Sequence, residues 1–131
     1  MTLLNLAEIS TAADIVYEEV DVPEWGGSVR VKSLTAVERD AFETSLVGGT
    51  AARLTNIRAR LVAFCLVDAV GTRIFVDPVS GADMLAGKNA AVMDRIFTVC
   101  KRLSGIGPDD AKAIEKNSDP DLSESSPSTS A

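Results

Sequence analysis

From Glu18 onward, apolar and polar residues alternate along the chain. Val20 and Val22 lie on one side of an extended segment, and Val29 and Val31 answer them after a turn. The intervening stretch VPEWGGSVRV contains Pro23, which has no N–H to donate to a ladder, and Gly26 and Gly27, which accept positive φ. This pattern predicts a β-hairpin over residues 18–33. Pairing Val22 with Val29 and Val20 with Val31 places Glu19 opposite Lys32 and Asp21 opposite Arg30, opposite-charge pairs worth roughly a few tenths of a kcal/mol each. Two strands alone are marginal in water, so the valine face must pack on something else.

At Ser33 the period changes to helical. Thr35 followed by Glu38 forms a capping-box signature, and Leu34, Val37, Ala41, Phe42 and Leu46 then recur on one stripe that stops at Gly48 and Gly49. A second helix is predicted from about Ala51 to Val67. Leu54, Ile57, Leu61, Phe64 and Cys65 share one face with further apolar residues close by, so this is the central helix. Gly71, Pro78 and Gly81 then break the pattern around residues 74–76, which read as an extended strand or a turn. A third long helix starts near Asn89 and carries Val92, Ile96, Val99 and Leu103, and residues 108–116 make a terminal helix with Pro at its first turn. The first 17 residues form an arm, either a short helix or a segment crossing the body. Residues 117–131 are Ser, Pro and acid with one large apolar residue, Leu122, too little to offset ordering entropy, and read as a disordered tail. The expected fold is α+β and mostly helical: one domain over 18–116, in which the hairpin packs on a bundle of three to four helices, with residues 74–76 as a candidate third strand.

Composition narrows the function. A chain of 131 residues that is 46% hydrophobic buries a core without metal or disulfide staples. Its net charge of −6 disfavours nucleic acid or an anionic membrane as partner, and no apolar run approaches the roughly 20 residues that span a bilayer. Cys65 and Cys100 each fall within an apolar helical pattern, which favours buried free thiols and a reducing compartment, the cytoplasm. The chain has no histidine. That removes the commonest general base and metal ligand together and leaves no catalytic, cofactor or metal site to assign. The segment GGTAAR before the second helix lacks the phosphate-loop pattern and reads as a linker, and Asp77 and Asp83 around PVSG read as a loop with helix-capping carboxylates rather than a calcium loop.

Three residues remain as candidates for protein binding. Arg53 and Arg60 are seven apart and share a helix face, either simply solvated or offered to an acidic protein, while Arg58 points away. Trp25, the single tryptophan, sits at the hairpin tip, where its ring either folds back over the valine face, the reading we favour, or anchors a partner. Apolar helix surface left uncovered by the bundle would serve an oligomer or a client helix.

The segments EEVDVPEWGGSVRVKSLTAVERDAFE, IRARLVAFCLVDAVGTRIF and AAVMDRIFTVCKRLSGI, in that order and with a short acidic ending after them, resemble the tail assembly chaperones of long-tailed bacteriophages. The resemblance spans about residues 18–116. It implies a small, mostly helical, non-enzymatic protein of a phage or prophage. Such a protein binds the tape-measure protein in the host cytoplasm, keeps it soluble, and helps tail-tube protein assemble around it. A longer frameshifted form of the same chain is a further implied partner. The competing expectation is a virion component, a minor tail or head-tail connector protein that stays in the particle.

Overall fold

A computed structural model of the chain describes residues 1–47 and 56–106. The elements run α1 (Leu6–Thr11), β1 (Tyr17–Val22), a 3₁₀ turn (Pro23–Trp25), β2 (Gly27–Lys32), α2 (Ala36–Leu46), α3 (Ile57–Cys65), β3 (Leu66–Val67), α4 (Pro78–Leu85) and α5 (Ala90–Leu103). The three strands form one antiparallel sheet in the order β1-β2-β3, and it packs on the helices in agreement with the hydrophobic pattern.

The hairpin register differs from the expected one by two residues. Val20 faces Val29, Glu19 faces Arg30 and Val22 faces Gly27. The turn is the cause: Pro23–Trp25 winds one tight 3₁₀ turn closed by Gly26 in the left-handed region at φ 82°, and Gly27 already belongs to β2. An even slip leaves every side chain on its original face. Val20, Val22 and Val31 are therefore buried and Val29 half-buried. The expected charge pairs give way to other contacts. Asp21 accepts a hydrogen bond from the Ser28 hydroxyl at 2.9 Å, while Arg30 donates to the Ala69 carbonyl at 2.7 Å and lies 4.5 Å from the centre of the Tyr17 ring.

Lys32 is buried and pairs with Glu38. Glu38 is also the capping-box residue of α2. Its carboxylate accepts from the Thr35 N–H at 3.0 Å and from Arg73 at 3.1 Å, so one side chain joins β2, α2 and the segment after β3. Burial pushes its carboxyl up, but the Lys32 and Thr35 hydrogen bonds and the nearby Arg73 charge outweigh that and hold it below the usual value.

α3 is buried along nearly its whole length. The predicted start near Ala51 lies outside the described residues. Its end differs from expectation, because Leu66 and Val67 leave the helix and pair with β2, Val67 against Arg30 and Leu66 against Val31. An unbroken apolar run carries no period to separate a buried strand from a buried helix, and these two residues continue such a run beyond α3. Residues 74–76 are not the third strand. The return passes through a bridge of Arg73 to Val67, and the Ile74 N–H donates to the Leu66 carbonyl at 3.0 Å.

A helix, α4, replaces the expected loop over PVSGAD. Asp77 does cap it, accepting from the Val79 N–H at 3.1 Å, and Pro78 occupies its first turn, where no donor is lost. Gly81 sits inside α4 because a Cβ there would lie 2.5 Å from the Phe75 ring. α5 begins at the Asn89 cap and buries Val92, Met93, Ile96 and Cys100. Phe42 and Phe64 meet edge to face at 6.2 Å in the core. Cys65 and Cys100 are free and buried, and donation of its S–H to Cys65, together with burial, pushes the Cys100 thiol well above its ordinary value. α1 is the helical alternative for the N-terminal arm: Asn5 and Glu8 form a full capping box, yet the helix buries nothing. The expected terminal helix over 108–116 and the tail lie outside the described residues.

Candidate protein-binding surface

The hairpin tip is fastened to α5 rather than standing alone. Arg95 donates to both carboxylate oxygens of Glu24, at 2.9 and 2.7 Å, and to the Asp21 carbonyl at 3.3 Å. Hydrogen bonding from Arg95 is the main reason that the Glu24 carboxyl is lowered to about 2. The next residue, Trp25, is 36% exposed, and Val22 beneath the turn is fully buried. The Lys88 ammonium lies 6.0 Å from the centre of the indole.

Lys88 also borders a groove of about 470 Å³ where the start of α3 meets the α4–α5 connection. Ile57, Ala59, Ala86, Ala90 and Met93 line it with small or apolar surface, and Arg58 and Asp94 stand at its edge as an ion pair. Small side chains let a partner's backbone or an apolar side chain approach closely. On the far side of Arg58, the Phe97 ring has the Arg58 guanidinium 5.7 Å from its centre and the Lys101 ammonium at 4.9 Å. The surface therefore offers apolar recesses framed by cations, an arrangement suited to binding protein.

Of the residues singled out from the sequence, Trp25 lies at this surface. Arg60 is half-buried and donates to the Ser45 carbonyl at 2.6 Å, tying α3 to the end of α2. Arg53 lies outside the described residues. Sequence patterning does not pick out Lys88 or Lys101, and it sets Arg58 aside as the arginine facing away from the other two. The available signal is the α5 spacing of Ala90, Asp94, Phe97 and Lys101, which sets all four on one face. Among the described residues, no cluster of His, Cys, Asp or Glu is arranged to hold a metal ion, and no helix is long and apolar enough to cross a membrane.

No family model matches the chain, and no curated protein matches it in sequence. Its structure is similar to that of the bacteriophage HK97 tail assembly chaperone, with a TM-score of 0.54, 19% identity, and coverage of 75% of this chain and 91% of the other. Two chains that share few residues thus share a fold, and the fold of this protein is the one seen in that phage tail assembly chaperone.

Proposed function

We propose that this protein is a non-enzymatic phage tail assembly chaperone, which binds the tape-measure protein in the host cytoplasm, keeps it soluble and promotes assembly of tail-tube protein around it. The observation that carries this reading is the fold, similar over 75% of the chain to the HK97 tail assembly chaperone. Exposed apolar groups supply the contacts that a holdase needs. Leu3, Leu4, Leu6 and Ile9 on and before α1, with Trp25 at the hairpin tip, are weak sites that sum along a long client. The acidic excess keeps such a complex soluble. A longer frameshifted form of the chain is the further partner in this scheme, and the chaperone leaves before the particle is finished.

Co-expression with a tape-measure protein tests the proposal. The expected result is a client that is soluble only when this chain is present and that co-elutes with several copies of it. An unchanged soluble fraction, with this chain found in purified particles, would replace the chaperone by a structural tail or connector protein.

A further inference from the structure

The groove beside Lys88 continues into a stripe that runs toward the end of the described chain. On α5, Ala90, Asp94, Phe97 and Lys101 recur at spacings of four, three and four residues, one face of a helix. Arg58 of α3 lies over this face, neutralising Asp94 and covering Phe97. Among the described residues, Lys88 and Lys101 have no carboxylate within ion-pair reach, and each ammonium rests on an aromatic ring instead. At the far end Ile106 is buried and its N–H donates to the Lys101 carbonyl at 2.9 Å, so the described residues end beside Lys101.

The C-terminal segment complements this stripe in charge and polarity. Residues 117–131 contain Asp119, Asp121 and Glu124, no basic residue, and Leu122 in their midst. We propose that this acidic segment docks back along the stripe, with Leu122 in the groove and its carboxylates against Lys101, Arg58 and Lys88. The length suffices. With residues 108–116 helical, as the sequence predicts, residues 107–118 still span up to about 24 Å, whereas Leu103 and Met93 lie only about 15 Å apart along α5. Tethering supplies the affinity, because an attached segment is present at roughly millimolar effective concentration, so contacts of about 0.1 mM strength keep it docked most of the time. The segment then competes with any partner for the groove. That consequence holds whatever the partner is, and the inference does not rest on the chaperone role.

The test uses the full chain. A nitroxide is attached at Ser123→Cys, where the buried Cys65 and Cys100 leave the new thiol as the accessible one, and emission of Trp25, the single tryptophan, is compared with that of the same chain carrying a diamagnetic analogue. The docked segment brings the label near Trp25 and lowers emission at least about twofold at millimolar effective concentration. The loss disappears in Leu122→Ser and weakens in Lys88→Glu. Equal emission from the two labelled forms overturns the proposal, as does quenching that survives Leu122→Ser. Quenching that vanishes on dilution also overturns it, since the segment then reaches a second copy.

Discussion

Arg95 grips both oxygens of Glu24 across 71 positions of sequence, at 2.9 and 2.7 Å, and thereby fixes the hairpin tip to α5, the longest of the described helices. The Trp25 ring keeps a defined place beside Lys88 because its neighbour cannot swing away.

The Glu24 carboxyl sits at about 2 instead of the ordinary 4.5. A folded-state value below the unfolded one means that the contribution of this contact to stability is complete above pH 4.5 and is lost as the pH falls through about 2, where the folded carboxylate itself takes up a proton. Trp25 emission in the native chain should shift around that lower value, and the shift should be absent in Glu24→Gln. At neutral pH the same variant should show faster amide exchange at Gly26, whose N–H closes the turn on the Pro23 carbonyl at 3.0 Å, while the rest of the protein keeps its protection.

Glu38→Ala should be the costliest change of a single charged residue among those described. It removes the capping box and leaves the buried Lys32 without its carboxylate, a loss of about 2–4 kcal/mol in urea unfolding. Because the Glu38 carboxyl is held low in the folded state, its contribution is present at neutral pH and lost on acidification through its folded value. Glu38→Gln should fall between the native chain and the alanine variant, since an amide oxygen still accepts from Thr35.

Gly81→Ala tests a close approach. Alanine favours the helical backbone by about 1 kcal/mol. Its Cβ would nevertheless meet Phe75 ring and Cβ atoms at 2.5 to 2.9 Å, at the stiff base of that side chain. Overpacking should win, with a net loss of about 1–2 kcal/mol by thermal unfolding. Phe75→Ala in the same chain should remove the penalty, so that the double mutant is more stable than the two single losses added together.

Removal of residues 1–13 should leave the unfolding midpoint of the body unchanged within about 1 °C, because α1 buries no residue. The same deletion should lower the soluble yield of the co-expressed client, which separates an element kept for contact from one kept for stability.

Much of this architecture is legible in the chain because local rules and packing agree. Thr35 and Glu38 mark the start of α2, Asn89 marks α5, and valine alternation sets the faces of the hairpin. The departures have separate causes. Register depends on the loop, and only one of the two glycines takes positive φ. α4 is hidden by Pro78 and Gly81, residue types that usually break helices; one occupies a first turn and the other makes room for Phe75. At the candidate surface Trp25 is visible as the single tryptophan. Lys88 and Arg58 act through aromatic rings brought to them by the tertiary fold, which spacing within one segment does not reveal, whereas Lys101 sits one helical turn after Phe97 on α5 and is within reach of spacing alone.

β1 lies at the margin of the sheet with a sequence, YEEVDV, that carries three acids in six residues. A second β1 arriving antiparallel would bring carboxylates toward carboxylates, and it would have to dislodge Arg95 from the Asp21 carbonyl. Growth of the sheet from copy to copy is therefore discouraged by charge as well as by occupancy. On the proposed function, an edge that rejects its own kind keeps crowding around a client from turning into polymerisation of the handler.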